Sequence, residues 1–293
     1  MKLIVGSRAS QLAVIQSRLV MDAISGAHPE IEPELMTLKT TGDRILDRPL
    51  DKIGGKGLFV RELDAALREG RADLAVHSCK DLPAELPEDL PLCAFTRRED
   101  PRDALVLPAG RDCLTGPIGC SSLRRRLQLE ALFPEIPTVP VRGNVVTRLQ
   151  KLDSGEFGAL VLAAAGLKRL GQEERICRYF EPEELLPAAG QGILAVQCRN
   201  GMDMSVLDCL RDRTAEICAR AERAFVGALG GGCSSPLTAY AAVCGDMLTI
   251  TGMYVDEHGH VRRGAASGPA ADGAALAVQL ANRLREDGAC PEK

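Results

Sequence analysis

Residues 74–83 read Leu74-Ala75-Val76-His77-Ser78-Cys79-Lys80-Asp81-Leu82-Pro83. The apolar run at 74–76 reads as a buried strand. Lys80 and Asp81 stand at its C-terminal end, where open α/β sheets receive ligands. Leu82-Pro83 stops a helix from starting at once, because proline has no amide proton and biases the preceding residue toward extended geometry. A lone Lys-Asp pair after a strand is most often a surface ion pair. The same arrangement elsewhere in the chain changes that reading.

Upstream, Leu3-Ile4-Val5 forms a short strand that runs into Gly6-Ser7-Arg8-Ala9-Ser10, after which Leu12, Ile15, Leu19 and Ala23 recur at helical spacing with Ser10 as N-cap. Such a turn leaves backbone N–H groups and the positive end of a helix facing a ligand, which favours anions. The pattern returns at Ile118-Gly119-Cys120-Ser121-Ser122-Leu123-Arg124-Arg125, before a helix through Leu127 and Leu132. The echo suggests two similar α/β domains, although Gly-Ser turns before helices are common. A strand over 138–144 places Arg142 where Arg8 and Lys80 stand in theirs, with Asn144 capping a helix that carries Arg148 in its first turn. Arginines and lysines thus collect at strand ends and first helical turns. Scattered surface cations show no such preference, whereas a site for several carboxylates needs rigid charged forks there.

The remaining elements follow from pattern. Strands are predicted at 33–39, 91–95, 104–107, 159–163 and 193–198, with Asp100–Asp103 as a turn. Residues 40–57 form a glycine-rich loop with Lys52 and Lys56, and a helix over 58–68 turns Phe59, Leu63 and Leu67 inward. The chain crosses between domains at 96–100 and at the Pro187–Ile193 hinge, which carries Gln191. Helical patterning over 203–229 leads to Gly230-Gly231-Gly232-Cys233, where three glycines clear the space around a thiol. Strands at 237–244, 247–254 and 261–266 and a helix over 274–285 close the chain.

Composition bounds the function. The 293 residues are 45% apolar and 26% charged, enough for two or three domains with full cores. A net charge of −4 argues against a general binder of nucleic acid or acidic membranes, so any basic surface is local. The apolar run at the start is too short for a signal peptide, and nothing approaches the ~20 apolar residues of a membrane span; a cytoplasmic protein is expected. The eleven cysteines include no Cys-x-x-Cys and accompany only four histidines, which favours buried thiols over disulfides or zinc. Two classes of function fit: a bilobal anion-binding protein, or an enzyme holding a polycarboxylate covalently through Cys233. A cysteine hydrolase using His77 as base is weaker, with no evident route from His77 to Cys233.

Nine stretches in order resemble the porphobilinogen deaminase (hydroxymethylbilane synthase) family: Gly6–Ala13, Gly54–Phe59, His77–Pro83, Arg98–Ala104, Ser121–Arg125, Arg142–Arg148, Ala164–Leu170, Gln191-Gly192 and Gly231–Cys233. Ser235 departs from the β-branched residue that the family more often carries before the proline. The resemblance implies a covalent dipyrromethane on Cys233 as a thioether. It also implies a reaction in which four porphobilinogen molecules lose ammonia and join head to tail, before water releases hydroxymethylbilane. Each pyrrole brings an acetate and a propionate, which accounts for the arginines.

By the same resemblance Asp81, with Arg8 and Lys80, is catalytic, its carboxylate accepting pyrrole N–H groups and stabilising developing positive charge. Asp81, Lys80, Ser121, Ser122, Arg124, Arg125, Arg142, Gly143 and Thr147 would hold the cofactor. Arg8, Ser10, Lys56, Phe59, Arg142, Arg148 and Gln191 would hold substrate, the 45–57 loop acting as a lid. No metal is implied, nor any partner beyond porphobilinogen, and a monomer is expected. The resulting fold class is α/β: two similar doubly wound domains of periplasmic-binding-protein type, 1–96 with 193–213 and 97–192, flanking a cleft. A small α+β domain at 214–293 carries the cofactor.

Overall fold

The computed structural model describes residues 2–44, 60–231 and 236–289, which form two compact units, 1–99 with 193–216 and 100–192 with 217–293. In the first unit, strand β1 (Lys2–Arg8) leads through the N-cap Ser10 into helix α1 (Gln11–Ala27), then strand β2 (Glu32–Leu38) and a short helix α2 (Thr41–Arg44). Ser10 Oγ accepts the Ala13 N–H at 3.4 Å, the capping bond read from the sequence. The buried face of α1 is Gln16, Ser17, Val20 and Ile24, however, and Leu19 is 49% exposed.

Helix α3 (Arg61–Arg68) buries Leu63 and Leu67, and strand β3 (Leu74–Ser78) ends in a 3-10 turn, Cys79–Asp81. Strand β4 (Leu92–Phe95) completes the segment before the first crossing. With β10 (Leu194–Cys198) the sheet order is β2-β1-β3-β10-β4; β1, β2 and β3 are parallel and β10 runs against both neighbours. One face packs Leu3, Val5, Val76 and Val196 against Val20 and Ile24, and the other packs Ala75 on Leu63 and Leu67.

The second unit repeats this plan. Strand β5 (Asp103–Val106) and β6 (Ile118–Gly119) precede helix α4 (Leu123–Leu132), β7 (Thr138–Val139), helix α5 (Val145–Asp153) and β8 (Ala159–Ala163). Helix α6 (Ala164–Arg169) and β9 (Ile176–Phe180) follow, and the sheet order is β7-β6-β8-β5-β9, again with three parallel strands beside one that runs against its neighbours. The all-apolar β8 has both faces covered: Leu160 and Leu162 enter one core and Ala159 and Val161 the other.

Three predictions change in the second unit. Residue Asp103 starts a strand rather than ending a turn, edge strand β9 was not predicted, and β7 stops at Val139 because Pro140 cannot donate to the ladder.

Residues 204–210 form a 3-10 helix, and helix α7 (Arg213–Ala228) starts separately where Asp212 Oδ1 accepts the Ala215 N–H at 2.7 Å. An antiparallel sheet of β11 (Thr238–Cys244), β12 (Met247–Val255) and β13 (Val261–Pro269) packs Ala241, Leu248 and Ile250 on Phe225 of α7 and on Leu280 and Leu284 of helix α8 (Gly273–Ala289). Of the nine described cysteines, Cys79, Cys93, Cys120, Cys198 and Cys218 are buried as expected, while Cys113, Cys177, Cys209 and Cys244 are exposed. No helix among the described residues is long and apolar enough to cross a membrane.

Candidate active site

In the first unit the parallel pairing of β1 with β3, Val5 opposite Leu74 and Gly6 opposite Ala75, brings the ends of both strands to one edge of the sheet. Arg8 ends β1, and Lys80 and Asp81, both half-buried, occupy the turn after β3. That turn is fixed from two sides. Cys79 N–H donates to Ile193 O at 3.0 Å, and the Ser78 hydroxyl donates to Gln16 Oε1 at 3.1 Å. His77 points into the core, its Nε2 3.1 Å from Gln197 Oε1. Burial, with the Arg8 charge acting in the same direction, pushes the His77 pKa down to about 4, against the weaker opposing effect of Gln197. It is a neutral core histidine, which removes the base from the hydrolase reading.

The second unit gathers more residues at the matching sheet edge. The Ser121 hydroxyl, after β6, donates to Val141 O and accepts the Val141 N–H at 3.0 Å, so it joins the ends of β6 and β7. Ser122 is the N-cap of α4 but makes no side-chain capping bond. After Arg142, Gly143 has φ +114°, and a Cβ there would lie 2.7 Å from Thr147 Cγ2, so only glycine lets the chain turn this tightly onto α5. Asn144 Oδ1 accepts from Thr147 N at 2.9 Å and from its hydroxyl at 3.1 Å, and Arg148 Nε donates to Gly143 O at 2.8 Å. Arg142 and Arg148 stay half-buried.

Arg124 and Arg125 differ. Both are buried in the first turn of α4 and share the fully buried carboxylate of Asp103: Arg124 Nη2 donates to Oδ2 at 2.9 Å and Arg125 Nη2 to Oδ1 at 2.7 Å. Their other Nη1 groups donate to Leu186 O at 2.6 Å and Val161 O at 3.1 Å. Gln191, expected at the substrate, donates from Nε2 to Asp103 Oδ1 at 2.8 Å and to Pro101 O at 2.6 Å. Burial would raise the Asp103 carboxyl, but the two guanidinium charges outweigh it and hold the group well below the usual carboxylate range. Asp103 thus shares its single negative charge between two guanidinium groups. The half-buried Arg142 and Arg148 at the same sheet edge offer the guanidinium forks that a dipyrromethane with acetate and propionate arms would need. Lys52, Lys56, Phe59 and Cys233, with the whole of the proposed 45–57 lid, lie outside the described residues.

Sequence reasoning missed Asp103 as a carboxylate between two arginines and Glu222 as a buried acid. Asp103 stands in the Arg98–Ala104 motif, where the local pattern reads as a turn. For Glu222 the only signal was an acid at a helix position that otherwise faces the core.

The chain matches the porphobilinogen deaminase dipyromethane cofactor binding domain over residues 3–206 and the porphobilinogen deaminase C-terminal domain over 216–286. It is similar to the porphobilinogen deaminase of Acetivibrio thermocellus, 52% identical over 286 residues that cover 97% of this chain and 98% of that one. Similarity to the porphobilinogen deaminase of Alkaliphilus oremlandii is also 52%, over 287 residues covering 97% of each. Among solved structures, the methionine binding protein MetQ aligns with 71% of this chain and 88% of its own at a TM-score of 0.44 and 11% identity. With both domain families matched in order and half the residues shared over almost the whole length, the chain belongs to the porphobilinogen deaminase family.

Proposed function

We propose that the chain deaminates four porphobilinogen molecules, joins them head to tail on a dipyrromethane attached to Cys233, and releases hydroxymethylbilane by hydrolysis, a step of tetrapyrrole biosynthesis. The observation that carries the mechanism is one carboxylate, Asp81, next to Lys80 on the strand turn beside the end of β1, where Arg8 stands. When bound, the dipyrromethane supplies the free α-carbon at which the chain grows and keeps the product tethered. In each cycle the C–N bond of the protonated aminomethyl group of porphobilinogen breaks with its electron pair going to nitrogen, which leaves as ammonia. A C–C bond then forms, and the attacked ring gives up one proton.

Asp81 accepts pyrrole N–H groups and opposes the positive charge that builds as ammonia leaves, and it takes up the released proton. Arg8 and Lys80 orient the carboxylate arms. Ser121, Ser122, Arg142, Gly143, Thr147 and Arg148 hold acetate and propionate groups in the second unit, where Arg124 and Arg125 supply positive charge from their buried cluster and Gln191 holds the Asp103 carboxylate between them. Lys56, Phe59 and Ser10 contribute substrate contacts by family resemblance. In this reading residues 1–96 with 193–213 and residues 97–192 bind carboxylates, 214–293 carries the cofactor, and the protein acts as a cytoplasmic monomer.

The test is the intact mass of the protein with its activity. Wild type should carry a two-pyrrole adduct that Cys233→Ser lacks. Asp81→Asn should keep the adduct while kcat falls by about 100-fold or more. A wild-type chain of unmodified mass would favour a binding protein instead, and near-normal turnover by Asp81→Asn would remove that residue from the chemistry.

A further inference from the structure

Glu222 is fully buried on α7, and both of its carboxylate oxygens accept backbone N–H groups: Oε2 from Gly190 at 2.6 Å and Oε1 from Ala241 at 2.8 Å. The two amides belong to different layers. Gly190 sits with φ +74° in the turn before β10, and Ala241 lies on β11, which among the described residues is an edge strand paired with β12. Burying a carboxylate costs more than burying an apolar side chain of the same size, so mere filling of the α7 interface does not call for an acid. An acid with its two oxygens on two separate segments instead fixes the distance between them.

Each segment continues into functional residues. Beyond Gly190, the side chain of Gln191 bonds to Asp103, which holds Arg124 and Arg125. Beyond Glu222, α7 runs to Gly231, where a Cβ would lie 2.7 Å from Leu237 Cδ1, so the chain entering β11 passes close against the chain leaving α7. Cys233 lies in sequence between those two points. A second tie runs beside the first, from the Thr238 hydroxyl on β11 to Pro187 O at 2.5 Å.

The geometry points to Glu222 as a positioning residue that sets the end of α7 and the start of β11, the described residues on either side of Cys233 in sequence, in register with the Asp103-Arg124-Arg125 cluster. This role rests on the reading that Cys233 carries the cofactor. Glu222→Gln keeps the shape but replaces one acceptor oxygen with a donor, so one of the two amides loses its partner. In the full chain we expect hydrogen exchange at Gly190 or Ala241 to speed up by about tenfold or more. The fraction of protein bearing the adduct should fall, and kcat of the loaded fraction should drop by about tenfold.

Ile250→Val, a core change in the same three-stranded sheet, is the control for simple destabilisation. It should lower the melting temperature without changing loading. Thr238→Val, which introduces no buried amide, should shift loading in the same direction as Glu222→Gln by a smaller factor, and it carries the test if Glu222→Gln does not fold. Loading and kcat that follow melting temperature alone across these variants would overturn the role. An unmodified wild type would remove the Cys233 reading and this role with it, whereas a loaded wild type with a Glu222→Gln variant that behaves like Ile250→Val would remove this role alone.

Discussion

His77 and Asp103 show what single residues gain from their surroundings. His77 directly follows the apolar run and lies three residues before Lys80, where a histidine looks like chemistry. Its neutral form is instead part of the folding energy. With a folded pKa of about 4 against 6.5 for an unperturbed imidazole, the unfolded chain binds the extra proton between those values. Stability linked to this group is therefore complete above pH 6.5 and is lost as pH falls toward 4, on the order of 3 kcal/mol in all. Urea unfolding of wild type and His77→Phe from pH 7 to pH 5 should show a steeper loss in wild type by up to one proton. Equal slopes would mean that His77 titrates normally. Asp103 has the opposite chemistry and the same sign, since its depressed carboxyl contributes stability that disappears only as pH falls below the ordinary carboxylate range.

At the scale of elements, the unit that recurs is a strand, a tight turn and the first turn of a helix. Ser10 closes one such turn by capping α1, whereas Ser121 closes the next by crossing to Val141, because β7 ends early and leaves the Val141 amide without a ladder. The third turn depends on Gly143. Gly143→Ala forces a side chain into a left-handed conformation and against Thr147, and should destabilise the fold by about 1–3 kcal/mol. By shifting Arg142 relative to Arg148 it should also raise KM for porphobilinogen more than it lowers kcat. A melting curve with steady-state kinetics checks both, and unchanged values on each would show that α5 absorbs the methyl group.

In the whole molecule, strand exchange links the two plans. Strand β10 enters the first sheet only after the chain has completed the second, and β5 supplies the second sheet from the segment just after the first. Three crossings, at 99/100, 192/193 and 216/217, follow from that order. The C-terminal sheet is part of the second unit rather than an appendage: Thr238 bonds to Pro187 O, Glu222 to Gly190 N–H, and Arg263 to Glu183 O and Pro182 O at 2.7 and 2.9 Å. Removing residues 217–293 leaves every strand of both five-stranded sheets in place yet takes away these partners. The truncated chain should lose the cooperative thermal transition of residues 100–192, read by circular dichroism. A sharp melt equal to that of the full chain would show that these ties are dispensable.

What the sequence determined by itself was local and periodic. The apolar runs at 74–76 and 159–163, the helical spacing after Ser10 and the turn glycine at 143 each follow from preferences that act over a few residues, and they place Arg8, Lys80, Asp81 and Arg142 at strand ends and Arg148 in a first helical turn. The run of motifs in order supplied the family. Pairing over long separations was decided only in three dimensions. Asp103 meets Arg124 and Arg125 some twenty residues on, Gln191 reaches back 88 residues to the same carboxylate, and Glu222 joins segments that precede and follow it by 32 and 19. A buried charge is tolerated only where its partners close around it, and which partners arrive depends on sheet order and strand exchange, which no local pattern encodes.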